Sequence, residues 1–165
     1  MPADADPVAV AREIALRQLT VRQRTRAELR AALARKNVPA DAADEVLDRF
    51  TEVGLLDDAA FARDWVAAGV RRQRGRRVLA QELAQKGVAR ELIDEALAAQ
   101  EPGGDLEAAL TLARRRARSL AGLDRQVRYR RLVGVLQRRG FSAPVVSEVV
   151  RQVLGEQDVA DPEFG

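Results

Sequence analysis

A chain of 165 residues that is 47% hydrophobic but only 4% aromatic can bury a sizeable interior, and its alanine-rich makeup points to slender, close-packed helices. It has neither cysteine nor histidine, which excludes disulfides, thiolate metal sites and the commonest general base and metal ligand. The net charge of +3 hides an uneven distribution: residues 41–64 hold eight acids against two arginines, whereas residues 106–155 hold eleven arginines against three acids.

Taken in chain order, residues 1–7 are acidic with two prolines and are expected to be a disordered lead. They lack the basic and apolar regions of a leader, and nowhere do about 18 uncharged apolar residues run together, so the expectation is a cytoplasmic protein with no membrane partner. A first helix is expected over about 8–22, with Val10, Ile14, Ala15 and Leu19 buried. Thr25 opens the second helix through a capping box with Glu28, and a third helix runs from about Ala40 to Val53. Pro39 stands where that helix begins, a position that tolerates the missing N–H.

The same pattern then returns twice. Leu29, Leu79 and Leu132 superpose, as do Leu33, Leu83 and Leu136. Next in each copy come a basic residue (Lys36, Lys86, Arg139), a turn residue (Asn37, Gly87, Gly140) and an apolar one (Val38, Val88, Phe141). Leucines four apart give an inward helical stripe, and the Gly or Asn suits the left-handed residue that ends a helix. Copies at near-constant spacing mark a repeat protein, with repeats over 8–54, 55–100 and 106–155. The predicted fold class is all-α, three tandem helical repeats forming an elongated, curved array.

At the first junction Gly54 suits the end of one helix, Asp57 caps the next, and Leu56 with Phe61 forms a hydrophobic staple. Phe61 and Trp65, four apart, are expected to face the core rather than serve as stacking platforms. Glu101–Asp105, with one proline and two glycines, is the clearest linker; after it Leu106, Leu110, Ala113, Ala117 and Leu120 make one helix face. Residues 156–165 read as an acidic tail that frays.

No catalytic constellation emerges. Ser119, Ser142 and Ser147 have no histidine partner, the glycines fit no phosphate-binding loop after a strand, and Asp57 and Asp58 are better read as caps than as metal ligands. The chain is therefore expected not to be an enzyme and to need no cofactor, metal or small-molecule substrate. Recognition by surface remains. Arg22, Arg24 and Arg26 recur as Arg72, Arg74 and Arg76, flanked by Arg71 and Arg77, at the amino ends of equivalent helices. The helix dipole and mutual repulsion oppose that placement; a phosphate backbone or acidic protein patch would relieve it, as would internal pairing with Glu28 or Glu82. A second basic group comprises Arg114, Arg115 and Arg118 with Arg125, Arg128, Arg130 and Arg131 around Tyr129.

The repeat set together with the junction GLLDDAAFA at 54–62 resembles the regulatory protein RecX family over residues 8–154. That resemblance implies nine helices in three tandem three-helix units, each similar to a helix-turn-helix module, and a role as a negative modulator of RecA. Family members bind the RecA filament and hold down its ATPase, strand-exchange and co-protease activities. Asn37 in place of the first turn glycine and the Gly-rich linker are the departures. The partners so expected are the RecA filament and, weakly and without sequence preference, single-stranded DNA. A helix-turn-helix regulator acting directly on duplex DNA is the alternative, although the third helices begin with little that could read bases. A plain scaffold is another, and would show no salt-dependent association with nucleic acid.

Overall fold

The computed structural model describes residues 5–160, and among them every regular element is an α-helix. These are α1 (Pro7–Val21), α2 (Arg26–Arg35), α3 (Ala40–Glu52), α4 (Asp58–Arg71), α5 (Arg76–Gln85), α6 (Arg90–Ala98), α7 (Gly104–Leu120), α8 (Arg125–Arg138) and α9 (Ala143–Ala160). None is long and apolar enough to cross a membrane.

Local chemistry sets the boundaries. The Thr25 hydroxyl accepts from the Glu28 N–H at 3.1 Å while the Glu28 carboxylate accepts from the Thr25 N–H at 3.3 Å, so the capping box is complete. Asp57 accepts from the Ala60 N–H at 3.0 Å at the start of α4, and both staple residues, Leu56 and Phe61, are buried. The three turn residues share one conformation: φ is 61° at Asn37, 77° at Gly87 and 91° at Gly140. Gln73 is also left-handed, at φ 52°, just before α5.

Three expected boundaries move. Pro7 begins α1 under an Asp6 cap, which shortens the expected lead; its residues 1–4 lie outside the described residues. Gly104 and Asp105 form the first turn of α7 instead of ending a linker. The last helix continues to Ala160, through half of the expected acidic tail, because Glu156, Gln157 and Asp158 find partners on α7 and α8; residues 161–165 lie outside the described residues.

The backbone groups into two compact units, one holding the residues through Asp64 with Leu83–Ala96, the other Trp65–Glu82 with the residues from Leu97 on. In the first, α1, α2 and α3 enclose Ala11, Ala15, Leu29, Leu33, Val46, Leu47 and Phe50. In the second, α7, α8 and α9 enclose Leu112, Leu132, Leu136, Phe141, Val149 and Val153 at the matching positions. The α7 stripe runs through Ala108, Ala109, Leu112, Ala113, Ala117 and Leu120, so Leu106 and Leu110, expected on the same face, are only partly buried. In the middle repeat Leu79, Leu83, Val88 and Ile93 are buried at the equivalent places.

Candidate functional site

Each turn that closes the second helix of a repeat has a seat. In the first unit the turn at 85–87 sits on α2: the Thr25 hydroxyl donates to the Lys86 carbonyl at 2.6 Å, and the Lys86 ammonium pairs with Glu28 at 3.1 Å. Gly87 lies so close to Ala27 that a methyl group there would collide with it. Burial would push the Glu28 carboxyl up, but the hydrogen bonds from Lys86 and the Thr25 N–H and the charges of Lys86 and Arg22 outweigh it and hold the group below its usual range.

The second unit repeats the arrangement one module on. The turn at 139–140 sits on the start of α5: the Gly75 N–H donates to the Arg139 carbonyl at 2.6 Å, and the Arg77 guanidinium donates to the Gln137 carbonyl at 3.0 Å. Gly140 packs on Val78. The Arg139 guanidinium donates to the Gln73 and Arg72 carbonyls, which gives the left-handed Gln73 its purpose: it aims a carbonyl at that cation. Arg139 is held below the usual arginine range by burial first, and then by the positive charges of Arg74, Arg115 and Arg116.

The arginines singled out by sequence divide into two groups. Several are engaged within their own unit. Arg22 pairs with Glu28 at 3.3 Å, Arg26 with Asp48 at 2.7 Å, Arg74 with Glu82 at 2.8 Å and Arg76 with Asp105 at 3.8 Å. Glu82 also accepts from the Trp65 indole N–H at 2.8 Å, so Trp65 is half-buried and tied down. Arg114 forks onto Glu156 at 2.8 and 3.2 Å, and Arg125 meets Asp158 at 3.1 Å. Arg128 is buried, bound to Gln157 at 2.8 Å and to Asp158 at 3.5 Å. Arg24 is half-buried, with its Nε unpartnered among the described residues.

The second group is exposed. Arg71, Arg72, Arg115, Arg118, Arg130 and Arg131 carry no ion pair among the described residues. Arg130 and Arg131 lie on a groove of about 690 Å³ between α7 and α8, joined there by Arg116 and Arg138, with Gly134 and Ser119 between them and no carboxylate in the lining. Sequence reading missed Arg116 and Arg138. The signal was present as spacing: 116, 119 and 120 on one helix and 127, 130, 131, 134 and 138 on the next each trace a single face.

The chain matches family models for the first, second and third three-helix domains of RecX over residues 11–50, 57–97 and 104–150. It is 47% identical over 153 residues to the regulatory protein RecX of Streptomyces coelicolor, covering 92% of this chain and 81% of that protein. The RecX of Thermobifida fusca is 43% identical over 168 residues, covering 99% and 91%. The crystal structure of RecX from Lactobacillus salivarius superposes with a TM-score of 0.82 at 21% identity, covering 90% of this chain and 97% of that one, which speaks for the fold. Three domain matches in tandem and relatives at this identity over nearly the whole length make the chain a member of the regulatory protein RecX family.

Proposed function

We propose that the protein is a cytoplasmic negative modulator of RecA: it binds the RecA–DNA filament and holds down its ATPase, strand-exchange and co-protease activities, damping recombination and the SOS response. The observation that supports this reading is the match to the RecX family in all three repeats. The chemistry is consistent with it. A chain without histidine or cysteine offers little for catalysis but displays exposed arginines, and weak contacts repeated along a polymer combine into useful avidity.

The surface arginines without ion pairs are the groups assigned to acidic RecA surfaces or DNA phosphates. Arg74 and Arg76 serve chiefly to hold the fold, given their carboxylate partners. The test is RecA ATPase on single-stranded DNA with increasing amounts of the chain. Inhibition is expected with the native protein and should need about tenfold more of the Arg71→Glu/Arg72→Glu variant, in keeping with about 1.4 kcal/mol of lost contact. No inhibition by the native protein sinks the reading, whereas equal inhibition by the variant removes only these two residues from it.

A further inference from the structure

The seat described above occurs three times in the sequence and is filled twice. Position 24, just before α2, and positions 27, 28, 31 and 35 of α2 correspond to 127, 130, 131, 134 and 138 of α8. On α2 this face holds the turn at 85–87, and the equivalent start of α5 holds the turn at 139–140. On α8 no turn of the described residues enters, and the face forms one wall of the arginine groove.

The residues on that face have changed in kind. Beneath each seated turn glycine lies a small side chain, Ala27 under Gly87 and Val78 under Gly140. In the third repeat the two corresponding positions are both arginine, Arg130 and Arg131. On α5 the first of these positions is also arginine, Arg77, which donates to the Gln137 carbonyl of the seated turn, so the third repeat differs by its second arginine, at the position of Glu28 and Val78. Long guanidinium arms instead reach outward to whatever brings negative charge. Arg116 and Arg138 add two more cations, and the lining carries no carboxylate to neutralise any of them. At the floor lies Gly134, where an added Cβ would meet only the flexible end of Arg138 at 3.0 Å, so a backbone can approach the helix closely.

We propose that this groove is a binding site for the sugar–phosphate backbone of single-stranded DNA, with phosphates on Arg116, Arg130, Arg131 and Arg138. Guanidinium forks match phosphate oxygens in geometry, and arginine is weakly hydrated, so both features favour this occupant. Phosphates recurring along one flexible strand can meet four cations spread over two helices, and an acidic protein segment is the competing occupant that the experiment separates. The inference rests on the reading of the protein as a filament-binding regulator, and it specifies which part meets the DNA strand.

The experiment is fluorescence anisotropy of the full chain with a labelled oligothymidylate, without RecA, as salt is varied. Four phosphate contacts to a single strand give a slope of about −2.8 in log affinity against log salt, or about 0.7 for each phosphate. The variant Arg116→Ala/Arg130→Ala/Arg131→Ala/Arg138→Ala is expected to lose that slope and to bind at least about tenfold more weakly at low salt. Arg17→Ala/Arg30→Ala/Arg49→Ala/Arg90→Ala, which removes the same charge at exposed arginines already paired with carboxylates, should keep the slope. Gly134→Leu keeps every charge and favours the helix, yet fills the floor, and should weaken binding several-fold while circular dichroism stays native. An unchanged slope in the groove variant, an equal loss in the control variant, or full binding by Gly134→Leu would each overturn the site. If the groove variant binds DNA normally but no longer inhibits RecA ATPase, the occupant is protein and the site as stated is wrong, although the regulatory reading stands.

Discussion

At the scale of single residues, the turn positions are where chemistry is least negotiable. Gly87 must adopt positive φ and must also leave space for the Ala27 methyl, whereas Gly54 has the same kind of φ, 79°, with nothing near it. Gly54→Ala should therefore cost about 1 kcal/mol, the price of a left-handed residue with a Cβ, and Gly87→Ala about 2–4 kcal/mol because overpacking is added. Urea unfolding of the two variants isolates the packing contribution as their difference; equal losses would mean that the turn at 85–87 is not seated on α2 as described. Glu28 allows a test by pH. Its carboxyl is held below its usual range in the folded chain, so the ionised form stabilises the fold above the unfolded value of about 4.3, and that stability is lost as pH falls through the folded value. Glu28→Gln should lose about 1 kcal/mol at neutral pH, and its deficit against the native chain should shrink below about pH 4. A deficit independent of pH would assign the loss to shape instead of charge.

At the scale of an element, the end of α9 shows what local sequence cannot reveal. GEQDVA has no inward stripe and reads as a fraying tail, yet Glu156, Gln157 and Asp158 are held by Arg114, Arg125 and Arg128 from 29 to 42 positions earlier in the chain. The repeat, the capping box, the staple and the left-handed turns were legible because each depends on residues within a few positions. Neutralisation was legible where the partner is local, as with Glu28 for Arg22 and Glu82 for Arg74, but not where it depends on helix packing, as for Arg26 with Asp48 or Arg114 with Glu156. Arg116 lies within the run RRRAR at 114–118 and Arg138 beside Arg139, but that these two share a groove depends on the adjacency of α7 and α8. The buried Arg128 leads to an asymmetric prediction. Removing its partners with Gln157→Ala/Asp158→Ala leaves a desolvated charge and should cost about 3 kcal/mol, whereas Arg128→Met removes charge and polar need together and should cost less than about 1.5 kcal/mol. Thermal unfolding of both variants decides it, and the reverse order would show that the guanidinium is not confined by α9.

At the scale of the molecule, net charge and its distribution pull in different directions. With only +3 overall, the chain has little general attraction for a polyanion, so affinity for bare DNA must come from the few arginines left without partners. Four phosphate contacts imply that raising salt fourfold, from about 50 to about 200 mM, weakens binding to single-stranded DNA about 50-fold. Bare DNA is then a poor anchor at physiological salt, and a regulator that works there needs contacts of another kind. On the proposed reading, protein contacts with the filament would supply them, being screened less where they are buried. Co-sedimentation with RecA filaments should accordingly persist at about 200 mM salt, where capture by oligothymidylate alone has largely vanished. A regulator acting directly on duplex DNA would behave differently, since base contacts give it discrimination among duplex sequences that phosphate contacts from an arginine-lined groove would not provide. Filament association that falls with salt as steeply as binding to free DNA, or a marked preference for one duplex sequence, would transfer the function from the RecA filament to DNA itself.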